Sequence, residues 1–112
     1  MFFYKSGTDI LFSKTEIKGL EEIKPNTVDA SVEKHVPVYT KNDNNVDVVV
    51  GSVLHPMEEV HFIEFIVLET TKGIYQAKLQ PQDEPKAHFE IEDEDIVAVY
   101  DYCNLHGLWM TK

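Results

Sequence analysis

The sequence predicts an all-β protein arranged as a two-sheet sandwich, and three observations lead there. From about residue 35 onward, short runs rich in Val, Ile, Phe and Tyr recur at close intervals. Clusters of Asn, Asp, Gly, Pro and Thr divide them, as turns do. No stretch in this part carries a helical period of apolar residues, so stacked sheets are left as the way to bury those runs.

Residues 1–30 read as an N-terminal appendage without metal ligands, and residues 31–112 as the sandwich domain. Phe2-Phe3-Tyr4 and Ile10-Leu11-Phe12 flank the turn-like Ser6-Gly7-Thr8-Asp9, which predicts a small hairpin. Ile17, Leu20 and Ile23 follow at three-residue spacing and could form a helical turn or two, although Gly19 and Pro25 oppose it, and the segment reads as a connection. The expected strands of the domain are 36–40, 46–50, 61–68, 74–79, 87–91 and 96–102. Lys41 to Asn45, Thr70 to Gly73, Pro81 to Pro85 and the acidic Glu92 to Asp95 supply the turns between neighbouring strands.

A chain of 112 residues has room for one core. Apolar residues make up 43% of it but never run for the roughly 18 positions a membrane helix needs, so no membrane partner is expected. Met1 to Lys5 is too short and too soon charged for a secretory leader, which places the protein in the cytoplasm. Twenty acidic residues against ten basic ones give a net charge of −10, and every basic residue is lysine. Nucleic acid is therefore an unfavourable partner. An anionic substrate would be repelled at long range and would need local positive charge, which draws attention to Lys34.

The single cysteine, Cys103, precedes His106 by three residues, with Asn104 and Gly107 suited to a sharp turn between them. His35 stands at an expected strand start. His55 and His61, six apart, could converge if a loop carries His55 and a strand begins near His61. Pro56 suits such a loop. All five could meet at one rim of a sandwich. A buried inert thiol and solvent-facing histidines are the plainer alternative. His88, within a strand and without a pattern around it, receives no metal role, and Met57 is read as packing.

Three motifs then carry a resemblance. Glu-Lys-His-Val-Pro-Val at residues 33–38, Gly-Ser-Val-Leu-His-Pro-Met with His61 and Ile63-Glu64, and Tyr-Cys-Asn-Leu-His-Gly-Leu-Trp at 102–109 occur in the order and spacing of the superoxide reductases. That family includes the desulfoferrodoxins and neelaredoxins. The resemblance spans about Val32 to Trp109 and implies an immunoglobulin-like β-sandwich.

It also implies one iron ion per chain, cycling between Fe2+ and Fe3+. His35, His55, His61 and His106 would lie in a plane around it, His106 through its δ nitrogen and the others through ε, with Cys103 as the axial thiolate. Glu33 and Lys34 match a mobile catalytic pair: Lys34 would attract superoxide and help deliver protons, and Glu33 would take the sixth position after oxidation. Serving one metal, these neighbours would need a flexible loop rather than a strand. The activity implied is one-electron reduction of superoxide to hydrogen peroxide without oxygen evolution, in an anaerobic or oxygen-sensitive cell. Residues 1–30 lack the four cysteines of a second, rubredoxin-like centre, so the donor would be external, plausibly a rubredoxin. A homo-oligomer, dimer or tetramer, is expected, with Phe2, Phe3 and Phe12, read as exposed, as candidate contacts for packing or dimerisation. An electron-transfer protein and a plain sandwich module using zinc or no metal are the rivals, though structural zinc prefers about four ligands to five.

Overall fold

Period-two burial along β5 (Asn45–Val50) sends Val46, Val48 and Val50 inward and leaves Asn45 and Asp47 in solvent. The computed structural model describes residues 1–112. β5 pairs antiparallel with β4 (Pro37–Asn42) and with β8 (Lys86–Glu90), forming a three-stranded sheet. Facing it is a four-stranded antiparallel sheet of β10 (Gly107–Thr111), β9 (Ile96–Cys103), β6 (Ile63–Thr70) and β7 (Ile74–Lys78), in that order. Val46, Val48, Val50 and Phe89 from one sheet meet Ile63, Ile66, Leu68, Val99 and Cys103 from the other in one buried cluster. The protein is thus all-β, a four-on-three sandwich of the immunoglobulin-like kind.

β10 was not among the expected strands. Leu108, Trp109 and Met110 continue the chain after the Gly107 turn and pair with Tyr102, Asp101 and Tyr100 of β9. The expected strand at 61–68 begins instead at Ile63, which leaves His61 in the preceding loop. Residues Val32–His35 form a single helical turn, α1, where a strand start or a flexible loop was expected.

The N-terminal segment forms the expected hairpin, β1 (Phe2–Ser6) with β2 (Asp9–Ser13). The region of Ile17, Leu20 and Ile23 is not helical. Its end, β3 (Glu21–Ile23), adds to β1 and completes a three-stranded sheet in the order β2-β1-β3. This sheet covers the outer face of the four-stranded one. Phe3, 1% exposed, packs with Phe65, Val67, Ala98, Tyr100 and Leu108, its ring 4.8 Å from that of Tyr100. Covered on both faces, Ile66 to Thr70 of β6 and Ala98 to Asp101 of β9 are continuously buried rather than alternating.

Phe3 was expected to be exposed and available for association, but it lies within the chain's own core. Phe2 and Phe12 are half-buried. Phe3→Ala should therefore destabilise the protein by about 3–5 kcal/mol through lost burial and a residual cavity. Urea denaturation checks this, and a change below about 1 kcal/mol would show that the N-terminal sheet is not packed as described.

Candidate metal centre

β9 delivers Cys103 at its very end, fully buried and in register with Ile63 of β6, at a point where the β6–β9 pairing shifts by one residue. Such bulges re-aim a side chain at the end of a ladder. The turn that follows returns as β10 through Gly107, whose φ of +79° suits glycine, and it brings His106 back toward the sulfur. Asn104 fastens this turn to the loop carrying His61. Its Oδ1 accepts from Phe62 N at 3.0 Å, its Nδ2 donates to Val60 O at 3.0 Å, and its backbone N donates to Phe62 O.

His35 ends α1, while His55 follows the turn at Gly51. That glycine has φ +87°, and a Cβ there would lie 2.3 Å from Val53 O and 2.8 Å from both Glu33 O and Lys34 O. Only hydrogen allows the loop to close under α1, where Val53 N and Ser52 Oγ both donate to Glu33 O.

These elements bring all five sequence-predicted histidine and cysteine candidates together. Donor atoms of His35, His61, Cys103 and His106 lie within 4.8 Å of one another. His55 joins them with Nε2 3.2 Å from His35 Nε2. The imidazoles form a closed circuit: neighbouring ring centroids are 4.7 Å apart for His35–His55, 4.7 Å for His55–His61, 5.1 Å for His61–His106 and 4.9 Å for His106–His35, each pair edge-to-face. His35 and His61, opposite each other, are 6.4 Å apart. Cys103 Sγ approaches His106 Nδ1 at 3.9 Å.

The hydrogen bonds behind the rings decide which nitrogens face inward. His35 Nδ1 donates to Ser31 O at 2.6 Å and His55 Nδ1 to Pro56 O at 2.7 Å, since a carbonyl can only accept. Both neutral rings then carry their lone pair on Nε2, so the 3.2 Å approach of these two atoms sets acceptor against acceptor. His61 Nε2 is buried with no partner at all. A cation among these atoms would turn both liabilities into bonds. Burial is the leading cause that holds His35 and His61 below the ordinary histidine pKa and brings His55 down to about 4, so the rings are neutral and able to ligate. Burial raises the Cys103 thiol, and the backbone N–H groups of Leu105 and His106 oppose that rise.

Lys34 is exposed on α1, and its charge lowers the pKa of both His35 and His61, so it stands on the side of the centre. Glu33 is exposed as well. The Ser31 side chain is the first cause holding its carboxyl below the ordinary range, and Glu33 is not among the converging donors. Met57 packs against the core, where its sulfur accepts from Ile63 N at 3.4 Å. His88 lies far outside the cluster in bonding terms, its Nδ1 2.7 Å from Asp47 Oδ1 on the outer face of β5 and β8.

Two residues escaped the sequence reading. Trp109, buried on β10, stacks on His35 with centroids 4.9 Å apart and donates Nε1–H to His106 O at 3.1 Å. Its place in the Gly-x-Trp end of the motif was the signal available. Asp101 is fully buried across from Trp109, with neither carboxylate oxygen partnered, and burial pushes its pKa well up. A lone acid between apolar residues gave no sequence signal.

A family model for desulfoferrodoxins matches residues 27–112. The chain belongs to the desulfoferrodoxin family. It is 47% identical over 104 residues to a desulfoferrodoxin of Clostridium acetobutylicum, covering 93% of this chain and 79% of that one. It is 48% identical over 92 residues to a desulfoferrodoxin homolog of Archaeoglobus fulgidus, covering 82% and 71%. Among solved structures, the superoxide reductase from Treponema pallidum matches 98% of this chain and 84% of its own at 35% identity, with a TM-score of 0.81. The one-iron superoxide reductase from Giardia intestinalis matches 70% of this chain and 95% of its own at 34% identity, with a TM-score of 0.59.

Two outcomes test this geometry. Gly51→Ala should lower metal affinity about tenfold or more by displacing α1, as equilibrium dialysis with a divalent metal would measure. Unchanged affinity would show that the Gly51 contact does not hold His35. Metal-free protein should lose stability as the pH falls from about 6.5 toward 4: the folded state keeps His55 neutral down to about 4, whereas the unfolded chain takes up that proton near 6.5. Denaturation midpoints across that window check the sign, and a midpoint that rises on acidification would contradict it.

Proposed function

We propose that this protein is a superoxide reductase with one iron ion per chain, held by His35, His55, His61, His106 and the Cys103 thiolate. The observation that carries this reading is the convergence of the donor atoms of His35, His61, Cys103 and His106 within 4.8 Å of one another, with His55 Nε2 3.2 Å from His35 Nε2. Four imidazoles with one soft thiolate suit iron better than a closed structural zinc site, which is complete at about four ligands. Its relatives of the superoxide reductase class support the same reaction.

When bound, the iron would supply one-electron chemistry. Superoxide gains one electron and two protons and leaves as hydrogen peroxide, with no oxygen formed. The chain's own residues prepare this. Ser31 O and Pro56 O fix the tautomers of His35 and His55, and the N–H groups of Leu105 and His106 favour the Cys103 thiolate. Lys34 provides local positive charge on a surface whose net charge is −10, drawing the anion in and ordering water for proton delivery. Glu33, one residue before it, would be the carboxylate that covers the metal after oxidation. The electron returns from an external carrier such as a rubredoxin, in the cytoplasm of an anaerobic or oxygen-sensitive cell, and the protein functions as a homo-oligomer. No helix is long and apolar enough to cross a membrane.

Metal analysis and the optical spectrum of iron-loaded, oxidised protein should give about one iron per chain and a visible sulfur-to-iron charge-transfer band that disappears in Cys103→Ser. Tight zinc binding in place of iron, or a spectrum indifferent to Cys103, would overturn the assignment. Lys34→Ala should slow the second-order reaction with superoxide by about tenfold and flatten its dependence on ionic strength, measured by pulse radiolysis.

A further inference from the structure

β10 is an edge of the four-stranded sheet, and one residue from outside that sheet pairs with it. Asn26 N donates to Leu108 O at 3.0 Å, Asn26 Nδ2 donates to Met110 O at 3.1 Å, and Met110 N donates to Asn26 Oδ1 at 2.9 Å. The side-chain amide stands in for a peptide group, so a single residue imitates two positions of an added strand. Its φ of +61° is one that asparagine tolerates better than most residues.

From this anchor the chain runs along β10 toward the metal centre. Val28 lies against Gly107, where a Cβ would sit 3.3 Å from Val28 Cγ2, and Gly107 closes the turn that carries Cys103 and His106. Ser31 then caps α1, and its carbonyl oxygen accepts from Lys34 N at 3.3 Å and from His35 Nδ1 at 2.6 Å. Thr27, Val28 and Asp29 are exposed, so little burial fixes the strap and its bonded ends decide its course. Five residues reach at most about 17 Å, which makes the place of Ser31 O depend on that of Asn26.

We propose that Asn26 is a positioning residue of the metal centre: by clamping this strap to β10 it keeps Ser31 O against His35 Nδ1 and holds the His35 ring toward the metal. The inference rests on the metal-binding part of the function proposed above, not on the reaction with superoxide. His55 has an equivalent ring bond to Pro56 O, but its loop is fastened beneath α1 at Gly51 instead. Releasing the strap therefore loosens one ligand selectively. It also ties the N-terminal sheet to the centre, since β3 ends at Ile23, just before the clamp.

Proton NMR of the zinc-loaded protein tests this, because a ring N–H bonded to a carbonyl in a metal-bound histidine exchanges with water only when the site opens. Asn26→Ala should speed exchange of the His35 Nδ1 proton about tenfold and leave that of His55 within about twofold. Zinc loss to excess chelator should quicken about tenfold. Asn26→Asp keeps the acceptor for Met110 N but loses the donor to Met110 O, and should fall between. Phe12→Ala, which trims the same N-terminal layer away from the strap, controls for a general loss of stability. Equal acceleration at both histidines in Asn26→Ala, or as large an effect on His35 in Phe12→Ala, overturns the proposal. So does faster exchange confined to the Met110 amide, which would make Asn26 a cap for an open strand edge and nothing more. If zinc protects neither ring proton in the wild type, the metal centre falls and the proposal with it. If the centre holds iron yet does not reduce superoxide, only the reaction fails, and the ratio of the two exchange rates still decides the role of Asn26.

Discussion

Two imidazole nitrogens that both carry lone pairs are held 3.2 Å apart, and the proton of each ring is tied behind it to a backbone carbonyl. Neither ring can turn away without giving up a bond to Ser31 O or Pro56 O. The adjoining Nε2 of His61 is buried with nothing to bond. Left alone, the facing lone pairs of His35 and His55 and the one unpartnered nitrogen of His61 cost stability, and much of the surrounding structure serves to hold them together.

The holding is distributed unequally. Cys103 stands at the end of β9, a strand enclosed between the sandwich core on one face and the N-terminal sheet on the other. The histidines come from a one-turn helix, two loops and a turn, and those segments are fastened to one another instead. Gly51 admits the closeness of α1 and the His55 loop, and Asn104 ties the Cys103 turn to the His61 loop. Trp109 presses on His35 while bonding the carbonyl of His106. Sulfur is placed by the fold, and the imidazoles by mutual restraint.

Legibility in the sequence followed the same division. Strands with a clean period, such as Val46, Val48 and Val50, were readable, because a single buried face imposes alternation. β10 escaped because Gly107 stands close to its start and Leu108, Trp109 and Met110 do not alternate, being packed on both sides or at an edge. α1 was read as a loop or strand start because one helical turn is too short to show a period. The five converging side chains were found through their motifs, since residues distant in sequence leave no local pattern of convergence. The exposure of Phe3 was misjudged for a related reason: nothing near it in the chain announces the apolar face of Phe65, Val67 and Tyr100 that it meets.

That outer layer has a consequence for how such a chain can change over generations. The face bearing Phe65, Val67, Ala98 and Tyr100 is apolar because β1 to β3 cover it. A lineage that lost the covering sheet in one genetic event would inherit a greasy, aggregation-prone surface, and one that first made the face polar would loosen the sheet. Loss or gain of the N-terminal layer therefore has to proceed together with substitutions in β6 and β9. Those are the strands whose ends carry the bulge and Cys103, so the history of the appendage and that of the metal pocket are mechanically linked.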